Sequence, residues 1–134
     1  MDFRLTDDQR ELQDAARAFA RAELPAIAAQ LERDNTPPPR ALVKRYAEMG
    51  FLGVNIPQPL GGLGLGNLEA LVVLEEFAKI SSAVAFPIFE SMVGPVRAIE
   101  HFAGDELKQR VVPQVCRGEM VVAVAMSEPE AGSA

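Results

Sequence analysis

Few residues in this chain are of types that do chemistry, and their spacing narrows the choice further. The closing segment Ser127 to Ser133 takes over at the end of an apolar run from Met120 to Ser127 and offers hydroxyls, backbone amides and Gly132. A glycine lets backbone come close to a bulky ligand, although composition alone reads this segment as an ordinary strand-to-turn connection. Gly61 to Gly66 is rich in glycine, but it lacks the Lys-Ser/Thr pair and the third glycine of a phosphate loop, and no strand clearly precedes it, so it reads as a structural turn. Glu75 and Glu76 are adjacent and point about 100° apart on a helix, which suits a solvated or interface face rather than paired acid-base work. His101 falls late in a helical segment, where a surface or helix-dipole role is commoner than catalysis. Cys116 has no base to activate it and reads as a small core residue. Phe86, Ile88, Phe89 and Met92 form a bulky apolar cluster around Pro87, in the first instance core. No residue is assigned a catalytic role, and one histidine with one cysteine gives no metal-ligand set.

The elements that must position these residues are mostly helical. Thr6-Asp7-Asp8-Gln9 is a capping box opening a helix whose apolar face carries Leu12, Ala15, Ala16, Phe19 and Ala20. Pro25 is expected to break or restart it, with a second short helix over Pro25 to Arg33. Asp34 to Pro39 reads as a linker. A helix marked by Leu42, Val43, Tyr46 and Met49 then ends at Gly50, after which Phe51 folds back over Tyr46. Phe51 to Gly66 has too many apolar residues for a solvated loop and must pack on the core. Asn67 is expected to cap a central helix with Leu71, Leu74, Phe77 and Ala78 on one side and with Val72, Val73 and Ile80 widening the apolar stripe. Ala83 to Phe102 reads as one kinked helix or two. Gly104-Asp105 opens a last helix with Leu107, Val111, Val112 and Val115 inward, ended by Gly118, and a strand is expected to follow. The change from helical period to strand near the last residue gives the chain the look of a part cut at a domain junction.

A chain of 134 residues with 49% hydrophobic content is enough for one domain with a core. Its net charge of -6, with scattered basic residues, offers no footprint for nucleic acid. No apolar stretch approaches the ~20 residues of a membrane helix and Met1 to Arg4 does not begin a signal peptide, so no membrane and a cytoplasmic location are expected.

Four blocks, in order and at characteristic spacing, resemble one family. They are Leu5 to Gln9; Met49 to Val54 with Ile56-Pro57 and Gly61 to Leu65; Leu74 to Ala78; and Gly118-Glu119 through Ser133. The chain is similar throughout to the N-terminal part of acyl-CoA dehydrogenases. The resemblance implies an all-α helical bundle over 1-119 and the truncated start of a middle β domain over 120-134. It also implies an FAD-dependent oxidoreductase of fatty acid metabolism that removes the α-proton of an acyl-CoA thioester while the β-hydride goes to flavin N5.

By the same resemblance Val124, Met126 and Ser127 would lie along the isoalloxazine, with Gly132 and Ser133 facing the pyrophosphate of FAD and Ser133 also near the acyl-CoA. Amide donors there would stabilise charge developing at the flavin N1-C2=O edge. Phe86, Phe89 and Met92 would line the end of the acyl tunnel and set chain length. The family's base is a glutamate from a C-terminal domain, so the chain by itself is expected to be inactive. An electron-transfer flavoprotein and a homodimer or homotetramer are the implied partners. Ser127 where Thr is usual, Val124 where an aromatic is common, Ala134 for Asp and Ala103 for Gly mark a divergent member. An oxidase or monooxygenase of the same fold, or a helical interaction module without catalysis, are the alternatives.

Overall fold

The structure is a computed structural model and describes residues 4–132. Among the described residues six helices follow one another: α1 (Asp7–Asp34), α2 (Arg40–Glu48), α3 (Asn67–Ala78), α4 (Ser82–Met92), α5 (Pro95–Phe102) and α6 (Asp105–Cys116), with a 3-10 turn at Gln58–Leu60. The fold is all-α, as its patterning requires.

The capping box forms as read. The Gln9 amide donates to Thr6 Oγ1 at 3.3 Å, and the Thr6 amide donates to Gln9 Oε1 at 2.9 Å. The expected break at Pro25 does not occur, and α1 runs through it for 28 residues. Pro25 and Arg21 both lie exposed, so the carbonyl that loses its helical donor faces water, while buried Leu24 and Leu31 anchor the helix on either side of the proline.

α1 packs on α3, and α3 on α4. Between them Phe19, Tyr46, Phe51 and Phe77 form an aromatic cluster with ring centroids 5.1 to 5.9 Å apart, in edge, tilted and stacked arrangements. The chain does turn back after α2: Gly50 takes a φ of 76°, and the Phe51 amide donates to the Tyr46 carbonyl at 2.9 Å. The loop beyond it is packed, with Phe51, Leu52, Val54, Ile56 and Leu60 buried. Gly62 is needed there, because a Cβ on it would strike the carbonyls of Gly53 and Ile56. A second core joins this loop to α5 and α6 through Ile56, Leu60, Val96, Val112 and Val115.

Other expectations are corrected. Gly66, not Asn67, occupies the cap position of α3; the Asn67 side chain instead accepts from Asn55 Nδ2 at 2.8 Å. The inward face of α3 is Ala70, Val73 and Phe77 with Val72 and Glu76, leaving Leu71 and Ala78 exposed. Several faces of that helix are apolar, so pattern alone did not fix its rotation. Of the two readings given for Glu75 and Glu76, a solvated or an interface face, Glu76 takes the interface: it is only 3% exposed, and Arg17 Nη2 and Lys79 Nζ reach its Oε1 at 3.0 and 2.9 Å. Ala83 to Phe102, read as one kinked helix or two, proves to be the second: two helices divided at Val93-Gly94, with Pro95 opening the latter. Leu107 is exposed, while Val111, Val112 and Val115 are buried.

The strand expected after Gly118 is not formed. Residues 120–127 are irregular, and beyond them Glu128 and Ala131 pair in an isolated bridge. A strand needs a neighbour to bond with, and no described residue supplies one.

Candidate functional site: an apolar groove beside the closing segment

A groove of about 580 Å³ runs between Pro37-Pro38-Pro39 and the start of α2 on one side and α4 on the other, with Val121 of the closing segment across it. The three prolines fix one wall with little conformational freedom. Val43 of α2 and Phe86, Pro87 and Glu90 of α4 form the rest of the lining. Below it a small recess adds Ser91, Val115 and Met120. The walls are tied together: the buried Tyr46 hydroxyl of α2 donates to the Val84 carbonyl of α4 at 3.1 Å. Burial pushes the Tyr46 phenol well above its ordinary range, so it stays a neutral donor.

Glu90 stands out chemically. It is the one charged residue in α4, it is half-buried, and loss of water raises its carboxyl above the ordinary value. The sequence reading named neither Glu90 nor Arg40, and it gave Val43 only as a helix-face residue and the three prolines only as part of a linker. The available signal was a single carboxylate inside an otherwise apolar helix.

The expected acyl-tunnel residues separate. Phe86 is 57% exposed and lines the groove. Phe89 lies partly buried against it, ring centroids 5.6 Å apart, and its ring would meet any Cβ placed on Gly94. Met92 is fully buried in the main core and touches a different cavity, of about 320 Å³, with Asn55, Leu71, Arg97 and His101.

The expected cofactor residues lie along one open segment. Val124 and Met126 are 56% and 83% exposed, and Ser127 and Gly132 are exposed too. Ser133 lies outside the described residues. Val124 and Met126 thus leave an apolar surface uncovered, and nothing lies within 4 Å of where a Cβ on Gly132 would stand.

Cys116 is buried, and its thiol is pushed up to about 11 by loss of water, which fits a core residue. His101 is a surface residue beside Arg97 Nη2 at 2.9 Å and Glu100 Oε2 at 3.2 Å. Among the described residues no group of three His, Cys, Asp or Glu side chains could hold a metal ion. No helix among them is long and apolar enough to cross a membrane.

Together these features define an all-α domain with an apolar groove beside an open apolar segment. Residues 6–119 match the family model described as acyl-CoA dehydrogenase, N-terminal domain. The chain belongs to that family. It is 36% identical over 133 residues to the acryloyl-CoA reductase (NADH) of Anaerotignum propionicum, covering 99% of this chain and 33% of that one. Its fold superposes on a glutaryl-coenzyme A dehydrogenase in complex with glutaryl-CoA with a TM-score of 0.89 at 32% identity, over 99% of this chain and 34% of that one. A structure described as the electron transferring flavoprotein of Acidaminococcus fermentans matches with a TM-score of 0.88 at 30% identity, over 98% of this chain and 34% of that one. The chain thus spans about a third of the length of these relatives.

Proposed function

We propose that the chain is the N-terminal part of an FAD-dependent acyl-CoA dehydrogenase-like oxidoreductase acting in the cytoplasm, with 1-119 as its helical domain and 120-134 as the start of a β domain. The observation that carries this reading is the position of Val121. The segment whose sequence resembles the flavin-facing loop leaves the bundle along the lining of an apolar groove, which supports a reading in which one stretch of backbone would border both ligands.

In this reading the groove between the prolines and α4 takes the acyl chain, and Phe86 limits its length. Phe89 supports Phe86 from behind, and Met92 fixes α4 in the core. Val124 and Met126 cover the isoalloxazine, Ser127 donates a hydrogen bond to its edge, and Gly132 and Ser133 give backbone access to the pyrophosphate and the acyl-CoA arm. FAD, when bound, supplies the acceptor for the β-hydride. This chain's residues orient the thioester and exclude water; none is assigned the α-proton, so the base belongs to another part of the enzyme. A homodimer or homotetramer passing electrons to an electron-transfer flavoprotein completes the proposal.

The test is a chimera in which residues 4–132 replace the matching third of the glutaryl-CoA dehydrogenase relative. The reading expects a yellow protein that retains FAD through gel filtration and reduces a dye on addition of acyl-CoA. A chimera with the relative's helix content and assembly that elutes colourless would overturn it.

A further inference from the structure

One buried side chain away from the groove is only half satisfied. Asn55, in the packed loop before the 3-10 turn, is 8% exposed, and its Oδ1 is shut off from water with no hydrogen-bond partner among the described residues. Its Nδ2 donates to Asn67 Oδ1 at 2.8 Å, but the return bond from the Asn67 amide to Asn55 Oδ1 is not made. A buried acceptor without a donor carries its desolvation cost in full, and a donor brought to it recovers that cost. Asn67 is exposed and free to swing aside. Both asparagines line the cavity of about 320 Å³ between this loop, α3 and α5, which is apolar along Leu71, Met92 and Val93. Arg97, also on the lining, is already engaged: its Nη1 donates to the Asn55 carbonyl at 3.2 Å and lies 3.1 Å from Glu100 Oε2, and its Nη2 meets His101 Nε2 at 2.9 Å. With its charge countered by Glu100, it offers little to an anion.

We infer that this cavity binds small neutral carboxamides or lactams, whose neighbouring C=O and N–H replace Asn67 on Asn55 and whose apolar body rests on Leu71, Met92 and Val93. Asn67 is then an internal stand-in for the ligand: it carries the same functional group and makes one of the two bonds that two carboxamides can exchange. Turning both amides over swaps the orphaned oxygen for an orphaned N–H, which a carboxamide answers equally. A ketone brings no donor, and a carboxylate brings no donor and an unwanted charge. The cavity has the size of the smaller ligand sites. The inference does not rest on the acyl reading of the groove between α2 and α4.

Ligand-observed NMR titration of the 134-residue chain with benzamide, acetophenone and benzoate tests this, since the three share a ring and differ in the group that meets Asn55. Benzamide should bind saturably, and the other two about tenfold more weakly or not at all. Asn67→Ala removes the internal competitor and should raise benzamide affinity about threefold. Asn55→Leu should lower it about tenfold. Leu71→Trp narrows the cavity from its exposed rim without touching the hydrogen bonds and should also weaken binding, so the test stands even where Asn55→Leu fails to fold. Circular dichroism shows which variants keep their helices. No saturable benzamide binding to the wild type or to Asn67→Ala, equal affinity for benzamide and acetophenone, or tighter binding of benzoate overturns the proposal. So does benzamide affinity that is unchanged in Leu71→Trp or in a folded Asn55→Leu, or that fails to rise in Asn67→Ala.

Discussion

The Tyr46 hydroxyl donates to the Val84 carbonyl at 3.1 Å, and this one bond joins the helices that form the two sides of the groove. Both residues are fully buried, so the bond forms out of water and its loss leaves no solvent substitute. Tyr46→Phe keeps the ring in its aromatic cluster and removes only the donor. The variant should lose about 1 kcal/mol of stability in urea unfolding. It should also bind acyl-CoA more weakly, because the α2–α4 spacing is no longer pinned. An unchanged unfolding midpoint would show that the bond adds nothing to the fold.

Phe86 projects into the groove with more than half of its surface exposed, so shortening it enlarges the groove without opening the core. Phe86→Ala should shift binding preference toward acyl chains about two carbons longer, each added methylene contributing up to ~0.8 kcal/mol once buried. Comparing hexanoyl-, octanoyl- and decanoyl-CoA by titration calorimetry checks this. The same length preference in wild type and variant would place the chain end elsewhere.

Glu76 links α1 to α3 through Arg17 and is also held by Lys79. Burial pushes its carboxyl up, but hydrogen bonds from Arg17 and Lys79 outweigh this and hold it below the ordinary 4.5. A depressed folded value means that the stability from this group is fully present above the unfolded value and is lost as pH falls through the folded one. Glu76→Gln should therefore lower Tm at neutral pH by roughly 5 °C, and the gap should narrow steadily as pH falls below 4.5. A gap of constant size across thermal melts from neutral to acid pH would contradict the assignment.

The sequence was most informative where local chemistry acts alone. Thr6 and Gln9 form their capping box whatever packs beyond them, and Gly50 ends α2 because only a residue tolerant of positive φ turns the chain there. It misled where tertiary context decides. Pro25 is accommodated because its unbonded carbonyl partner faces solvent. Leu71 and Leu107 have the spacing of core residues, yet the faces they share are not covered by any described residue. Val121, Val124 and Met126 carry strand propensity with no neighbouring strand to realise it. For the candidate site, the apolar cluster around Pro87 was legible as a group. Its division into an exposed Phe86, a supporting Phe89 and a buried Met92 was not, because successive residues on a helix face different ways. The pairing of α4 with the Pro37–Pro39 segment depends on contacts between residues far apart in sequence, which no local pattern encodes.

Cys116 is closed in beneath Gly53, where a Cβ would meet its sulfur at 2.5 Å, and its thiol is pushed up to about 11. At about pH 8 the folded protein should react with a disulfide reagent about a hundredfold more slowly than the unfolded chain, both from its smaller thiolate fraction and from lack of access. Absorbance assays with and without denaturant measure the ratio. Equal rates would show an open, reactive cysteine.

The central claim is that an acyl chain lies between the Pro37–Pro39 wall and α4, against the closing segment. Photolabelling the protein with an acyl-CoA that carries a diazirine at the chain end, then mapping the labelled peptides, tests this most directly. The account predicts label on the peptides holding Pro37 to Val43 and Phe86 to Glu90, removed by excess unlabelled acyl-CoA. Competable label confined to the separate cavity of Asn55, Leu71 and Arg97, with none in the groove, would contradict it.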